Sequence, residues 1–251
     1  MYVPAHFEES DPDRLHALIA QHPLGILVTH GASGLDANHL PFELQVRDGS
    51  LGVLHTHVAR ANGVWKDIAS GDEVLVVFRA ADAYISPNWY PSKHEHHRQV
   101  PTWNYMVAHA HGRVTVHDDE RYLRALVGRL TKHHEAAEPR PWRMGDSTQT
   151  FINEMLASIV GLEIEITRLV GKFKLGQNKE ARDVRGAADA LKARGHVRPA
   201  GGRHRRFPAQ RARRRQGVRN ALEGADVAGG CAREPAGRRG HDGRGLRGRP
   251  W

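Results

Sequence analysis

The chain has 251 residues, 39% of them hydrophobic, and a formal charge of +9, which is enough apolar content for one sizeable domain or two small ones. The charge is unevenly placed: residues 1–195 carry 22 Lys plus Arg against 24 Asp plus Glu, whereas residues 196–251 carry 15 Arg, no Lys and 4 acids. A slightly acidic body argues against extensive phosphate contact by that body, and a single cysteine, Cys231, excludes an intramolecular disulfide and a cysteine-based zinc site.

The opening MYVPAHFEES has neither a basic n-region nor an apolar h-region, and no run of about 18 apolar residues follows. The sequence therefore predicts a soluble, cytoplasmic protein with no membrane partner. Asp11 before Pro12, with Leu15, Leu18 and Ile19 at helical spacing, predicts a capped helix to about Gln21. Leu24 to His30 is an apolar run of strand length, and a Gly-rich turn at Gly31 to Gly34 follows it. Leu40, Phe42, Leu44 and Val46 alternate, and Asp48-Gly49 signals a hairpin before Leu51 to His57. Three successive antiparallel strands predict a meander.

Val74 to Phe78 and Val107 to Val116 read as further strands on either side of Tyr84 to Tyr105. That stretch, YISPNWYPSKHEHHRQVPTWNY, concentrates aromatic residues, three prolines, three histidines and a lysine without helical or strand period, so it reads as a loop that builds a site. Asp118 and Asp119 open a helix with Leu123, Leu126, Val127 and Leu130 on one face. A second helix is expected from Thr148 to Ile159, closed by Gly161. Leu162, Ile164 and Ile166 then alternate as a half-exposed strand, and Asn178 is expected to cap a last helix ending near Gly195. Strands dominate with helices between them, so a mainly β, α+β domain is predicted, either a small barrel with flanking helices or a mixed sheet.

Residues 1–195 thus form one domain. From His196 onward Arg, Gly, Ala and Pro dominate and the period stops. Such a segment buries too little apolar surface to offset its ordering entropy, and disorder is expected for 196–251. The abrupt change at Gly195 leaves two readings open, an out-of-frame C-terminus of a GC-rich gene and a genuine basic arm.

The histidines invite a metal or haem reading: His55 with His57 and His109 with His111 share strand faces, and His94, His96 and His97 lie in the loop. No carboxylate ligand stands at a convincing spacing, so no metal is assigned and the histidines read as surface or interface residues. His133-His134-Glu135 lacks the i, i+4 histidine pair of a helical zinc site. No P-loop, GxGxxG or GxSxG occurs. Ser86 and Ser92 near His94 offer a nucleophile and a base, without anything that marks them as activated.

A planar ligand, apolar in the middle and phosphorylated at one end, would find every group it needs. Trp89, Tyr90, Trp103 and Tyr105 supply walls, Asn38, His39, Asn88, Asn104, Gln177 and Asn178 supply polar contacts, and Arg60, Lys93, Lys172 and Lys174 supply cations.

The motifs GLDANHLPF, HTHVARAN, AYISPNWYPSK, VPTWNY, MLASIVGLEIEI and GKFKLGQNK resemble, in order, those of the PaiB-type FMN-binding negative transcriptional regulators. The resemblance spans residues 1–195 and implies an FMN-binding split β-barrel, related to pyridoxamine-phosphate oxidases, that works as a homodimer with flavin at the subunit interface. It places Asn38, His39, Leu40 and Pro41 along the isoalloxazine ring and Thr56, Ala59 and Arg60 at the phosphate, with His57 among the cofactor-binding residues. Lys93 would add a cation, Trp103 and Asn104 would close the site, and Lys172 and Gln177 would come from the late strand. Gly176 stands where the family pattern has Ser, and the ending after Gly195 departs from the family's. The resemblance implies DNA as a partner; an FMN-dependent oxidoreductase using NAD(P)H and a haem-handling split-barrel protein are the alternatives.

Overall fold

Asp11 accepts a hydrogen bond from the Asp13 N–H at 3.0 Å and Pro12 takes the first helical position, so α1 (Pro12–Gln21) begins where the sequence places it. The computed structural model describes residues 1–195 except Ser33 and Asp48. The basic tail expected over 196–251, and Asp48 of the Asp48-Gly49 turn, lie outside the described residues.

The strands are β1 (Glu8–Glu9), β2 (Leu24–Gly31), β3 (Gly34–Pro41), β4 (Glu43–Gln45), β5 (Val53–Ala59), β6 (Glu73–Ile85), β7 (Thr102–His117) and β8 (Ile159–Lys174). They pair antiparallel in the order β3-β2-β6-β7-β8-β5-β4, with β1 added on β8. The expected meander is corrected here: β2 pairs with β3 and β4 with β5, but β2 gives its other edge to β6 and β5 gives its other edge to β8. The reason lies at Phe42, one buried residue at which a continuous stretch changes partner. β3 ends one side of the sheet and β4 ends the other, so the stretch that joins them draws the two sides together. Thr56 Oγ1 ties this junction by donating to the Pro41 carbonyl at 2.7 Å. The result is a split β-barrel with flanking helices.

Alternation decides which side chains fill it. Leu27, Leu54, Val58, Val76, Phe78, Ala108, Ala110, Val114, Val160, Leu162 and Ile164 form the buried interior, joined by Leu15, Leu18 and Ile19 of α1. On the opposite face of β2, β6, β7 and β8, register brings Ile26, Val28, Leu75, Val77, Val107 and Val170 into one apolar sheet surface that stays half-exposed. His109 and His111 lie within it.

The helices are α2 (Val64–Asp67), α3 (Pro91–His96), α4 (Glu120–Glu135), α5 (Gln149–Ala157) and α6 (Ala181–Ala193). Asp119 caps α4 through the Tyr122 N–H at 2.8 Å, and Thr148 caps α5. α5 stops at Ala157, and Gly161 lies inside β8 rather than after the helix. A Cβ at Gly161 would come within 2.6 Å of the Tyr122 ring, so the missing side chain is what lets α4 seat on the sheet. α6 starts after Glu180 rather than Asn178. Of Tyr84 to Tyr105 only 86–101 lies outside the strands, and it contains α3, because β6 runs to Ile85, β7 begins at Thr102, and Tyr84 pairs with Trp103. Among the described residues no helix is long and apolar enough to cross a membrane.

Candidate functional site

The residues singled out in the sequence gather in two clusters. The first lies where β3, the end of β5 and the following turn meet. Asn62 Nδ2 donates to Asn38 Oδ1 at 2.7 Å, and Asn38 Nδ2 donates to Asp36 at 2.8 Å. His39 is exposed, Leu40 packs on the core, and Ala59 is exposed at the strand end. Thr56 is fully buried, with its hydroxyl proton committed to Pro41.

Arg60 is the most heavily engaged side chain of this cluster. Nε donates to the Ala157 carbonyl at 2.6 Å, Nη1 to Asp118 Oδ2 at 2.9 Å, and Nη2 to both Asp118 Oδ1 and the Ile159 carbonyl. A guanidinium carries five N–H donors, so a single one stays uncommitted. The Arg60 hydrogen bonds hold the Asp118 carboxyl below its usual range. As folded, this arginine rivets the end of β5 to the start of β8, and it has one donor to offer a phosphate.

The second cluster lies at the far ends of β7 and β8. Trp103 and Tyr84 meet edge to face with centroids 5.9 Å apart, and both rings are exposed, Trp103 at 53%. Asn104 lines a small pocket of about 90 Å³ with Tyr90, Leu175, Gly176, Lys179 and Val184. Lys172 Nζ donates to the Tyr2 carbonyl at 3.1 Å and lies 5.5 Å from the Tyr105 ring centroid. Lys174 Nζ donates to Thr102 at 2.6 Å. Gln177 is turned onto its own chain, accepting from the Leu175 N–H at 2.8 Å and donating to the Phe173 carbonyl at 2.5 Å. Gly176, in that turn, has φ 87°, a conformation in which any side chain is strained. Lys93 is half-buried on α3, outside every ion pair among the described residues.

These clusters do not converge within one chain. Ala59 pairs with Ile159 at the first end of β8, while Lys172 and Lys174 stand near its last residue. At about 3.3 Å per residue this is roughly 43–50 Å of strand contour.

The remaining sequence candidates resolve differently. Ser92 is buried and donates to Asp183 at 2.6 Å, and Ser86 bonds the Asn88 N–H at 3.3 Å, so neither is paired with His94 as nucleophile and base. Among the described residues no group of three His, Cys, Asp or Glu side chains is arranged to hold a metal ion. His55 and His57 instead face α4. His55 Nδ1 lies 2.9 Å from the Tyr122 hydroxyl, and His117 stacks on the Tyr122 ring at 3.8 Å. Glu163 Oε2 approaches His55 Nδ1 at 3.7 Å and His117 Nε2 at 3.5 Å. Burial lowers the pKa of His55 and His57, and burial with Glu163 raises that of Tyr122. His109 and His111 are lowered by burial first, then by nearby positive charges including Arg168.

Asp118, Asn62, Tyr122, Glu163 and Asp183 are residues that sequence reasoning passed over. Asp118 was legible only as a helix opener, and nothing local in the sequence links it to Arg60, 58 positions away.

As a donor set the two clusters suit a planar, phosphorylated ligand. The second gives a solvent-facing aromatic pair, an amide and two ammonium groups; the first gives an end strand with its Asn38 and Asn62 amides. The pocket beside Asn104, at about 90 Å³, is too small to enclose a tricyclic ring.

Residues 1–168 match the family model described as "Putative FMN-binding domain". An uncharacterized protein of Emericella nidulans is 32% identical, covering 70% of this chain and 84% of its own length. The Bacillus subtilis "Protease synthase and sporulation protein PAI 2" is 26% identical, covering 76% and 89%. Among solved structures, an FAD and haem binding protein from Mycobacterium smegmatis is 20% identical at a TM-score of 0.48, covering 85% of this chain and 96% of that one. The flavocytochrome Anf3 from Azotobacter vinelandii is 13% identical at a TM-score of 0.49, covering 85% and 88%.

Proposed function

The chain belongs to the FMN-binding domain family whose model spans residues 1–168, and from that membership we propose that it is a flavin-binding homodimer that acts as a negative regulator of transcription. FMN, when bound, supplies reversible electron chemistry, and the protein supplies binding and orientation.

The observation that carries the dimer is the separation of the two clusters along β8. Two copies related by a twofold axis can set the Asn38 cluster of one against the Trp103 cluster of the other, giving two equivalent sites. The apolar surface of Ile26, Val28, Leu75, Val77, Val107 and Val170 offers the contact, since a face of this kind is what an obligate interface buries. Regulation is the reading that the PaiB-type motifs support. With a slightly acidic body, contact with DNA would be local or made through a partner protein.

Mixed dimers test the arrangement. Asn38→Ala and Trp103→Ala are each expected to lose FMN, while co-refolded mixtures should regain about one wild-type site per mixed dimer, because only the mixed dimer holds one site free of both substitutions. No recovery in the mixture would overturn the cross-subunit site, because both clusters would then have to come from one chain. Promoter binding with and without FMN, run beside an NAD(P)H oxidation assay, tests regulation: steady NAD(P)H turnover without DNA binding would replace the regulator with an oxidoreductase.

A further inference from the structure

α6 (Ala181–Ala193) lies beyond residues 1–168, the span the family model matches, yet it is fastened to the segment between the stems of the aromatic cluster. Asp183, fully buried, accepts from the Ser92 N–H at 3.0 Å and from the Ser92 hydroxyl at 2.6 Å. Gln99 Nε2 donates to Ser92 Oγ at 2.8 Å, and Lys179 Nζ donates to Gln99 Oε1 at 2.7 Å. On the outside Arg182 grips both carboxylate oxygens of Glu95, at 2.6 and 2.7 Å. Gly186 faces the Trp89 carbonyl so closely that a Cβ there would stand 2.2 Å from it, and the Arg194 guanidinium lies 4.6 Å from the Trp89 ring centroid.

Every one of these contacts ends in residues 86–101, the loop whose two stems carry Tyr84 and Trp103. α6 also walls the small pocket that Asn104 lines, through Val184, Ala187, Ala188 and Leu191. A buried carboxylate is tolerated only when its acceptors are filled, and here Ser92 fills them with two donors and Gln99 Nε2 adds a third at 3.4 Å. The loop therefore has one position relative to the helix.

We propose that α6 is a strap that holds the aromatic cluster in its flavin-receiving shape, with Asp183 as the positioning residue. It acts through Ser92 and Gln99 and touches no ligand. Three of the motifs that mark the site, YPSK, VPTWNY and GKFKLGQNK, then share the work: Trp103 and Asn104 face the ligand, while Ser92 and Lys179 belong to the strap. The inference rests on the reading that Trp103 and Asn104 line the flavin site.

The test uses the full chain with Asp183→Ala and Gly186→Val, read by FMN fluorescence titration, by visible circular dichroism of the saturated flavin and by hydrogen exchange. Both variants are expected to speed exchange in 86–101 and 181–193 while β6 to β8 stay protected. FMN affinity should fall at least tenfold, and the bound flavin's dichroism should change because its aromatic neighbours have moved. Asp183→Asn, which keeps one acceptor for the Ser92 N–H, should fall between wild type and Asp183→Ala. Wild-type affinity and dichroism with α6 released would overturn the strap. Trp103→Ala separates the two failures: if it too leaves FMN binding unchanged, the site reading falls; if it weakens FMN while Asp183→Ala does not, only the strap falls. Should Asp183→Ala not fold, Gly186→Val reports on the strap without disturbing the buried carboxylate.

Discussion

Asp118 holds Arg60 by both carboxylate oxygens, and with the Ala157 and Ile159 carbonyls it takes up four of the five guanidinium N–H groups. Arg60 is thereby a fastener between β5 and β8 before it is anything else. Arg60→Ala is expected to lower the Tm of the flavin-free protein, and Asp118→Asn to lower it in the same direction without tightening FMN. An unchanged Tm for flavin-free Arg60→Ala, together with weakened FMN binding, would make phosphate contact its principal role.

Lys172 is differently placed. Its ammonium makes one hydrogen bond, to the Tyr2 carbonyl, and keeps two N–H groups between the Tyr2 and Tyr105 rings. If it meets the FMN phosphate, Lys172→Ala should weaken binding by about 1.5–3 kcal/mol, as for other charge-assisted contacts. Titration at two salt concentrations gives a second check, because the wild type's advantage over Lys172→Ala should shrink in high salt.

Four histidines are expected to make the fold acid-sensitive. His55, His57, His109 and His111 all have pKa values lowered below the ordinary 6.5, with burial as the first cause. The unfolded chain then binds more protons than the folded one in this range. Their contribution to stability is complete above pH 6.5 and is lost as the pH falls from there through the folded values. Each histidine adds at most about 1.4 kcal/mol per pH unit, with His109 and His111 contributing less because solvent screens them. Urea unfolding between pH 7.5 and 5.5 should show the decline, and His55→Gln should flatten it.

Thr56 closes the barrel with one hydroxyl. Thr56→Val keeps the shape and leaves the half-buried Pro41 carbonyl without its 2.7 Å donor, which should cost about 0.5–1.5 kcal/mol. Equal urea midpoints for the variant and wild type would show that the junction is held by packing at Phe42 instead.

The strands were legible because the barrel interior imposes period two on them: Leu162, Ile164 and Ile166 point in, and Glu163, Glu165 and Thr167 point out. Asp11 and Thr148 announced their helices for an equally local reason, a side-chain oxygen bonding an N–H two or three residues on. The partner change at Phe42 was illegible, since β3 and β4 carry one unbroken alternation and only tertiary pairing divides them. At the candidate site the residue types were legible, as aromatic and cationic motifs. Their commitments were not: Gln177 turns back on Phe173, Thr56 on Pro41 and Arg60 on Asp118 through contacts that depend on how distant segments fold together.

The stretch from Gly34 to Gln45 belongs to both seams of the barrel at once, pairing with β2 over its first part and with β5 over its last. Adding or removing one residue at Phe42 would reverse which side chains face inward on one seam while the other kept its parity. The length of this stretch is therefore set by geometry rather than by any ligand. An inserted residue in the turn before Val53 is expected to be tolerated instead, since that turn lies outside both paired stretches.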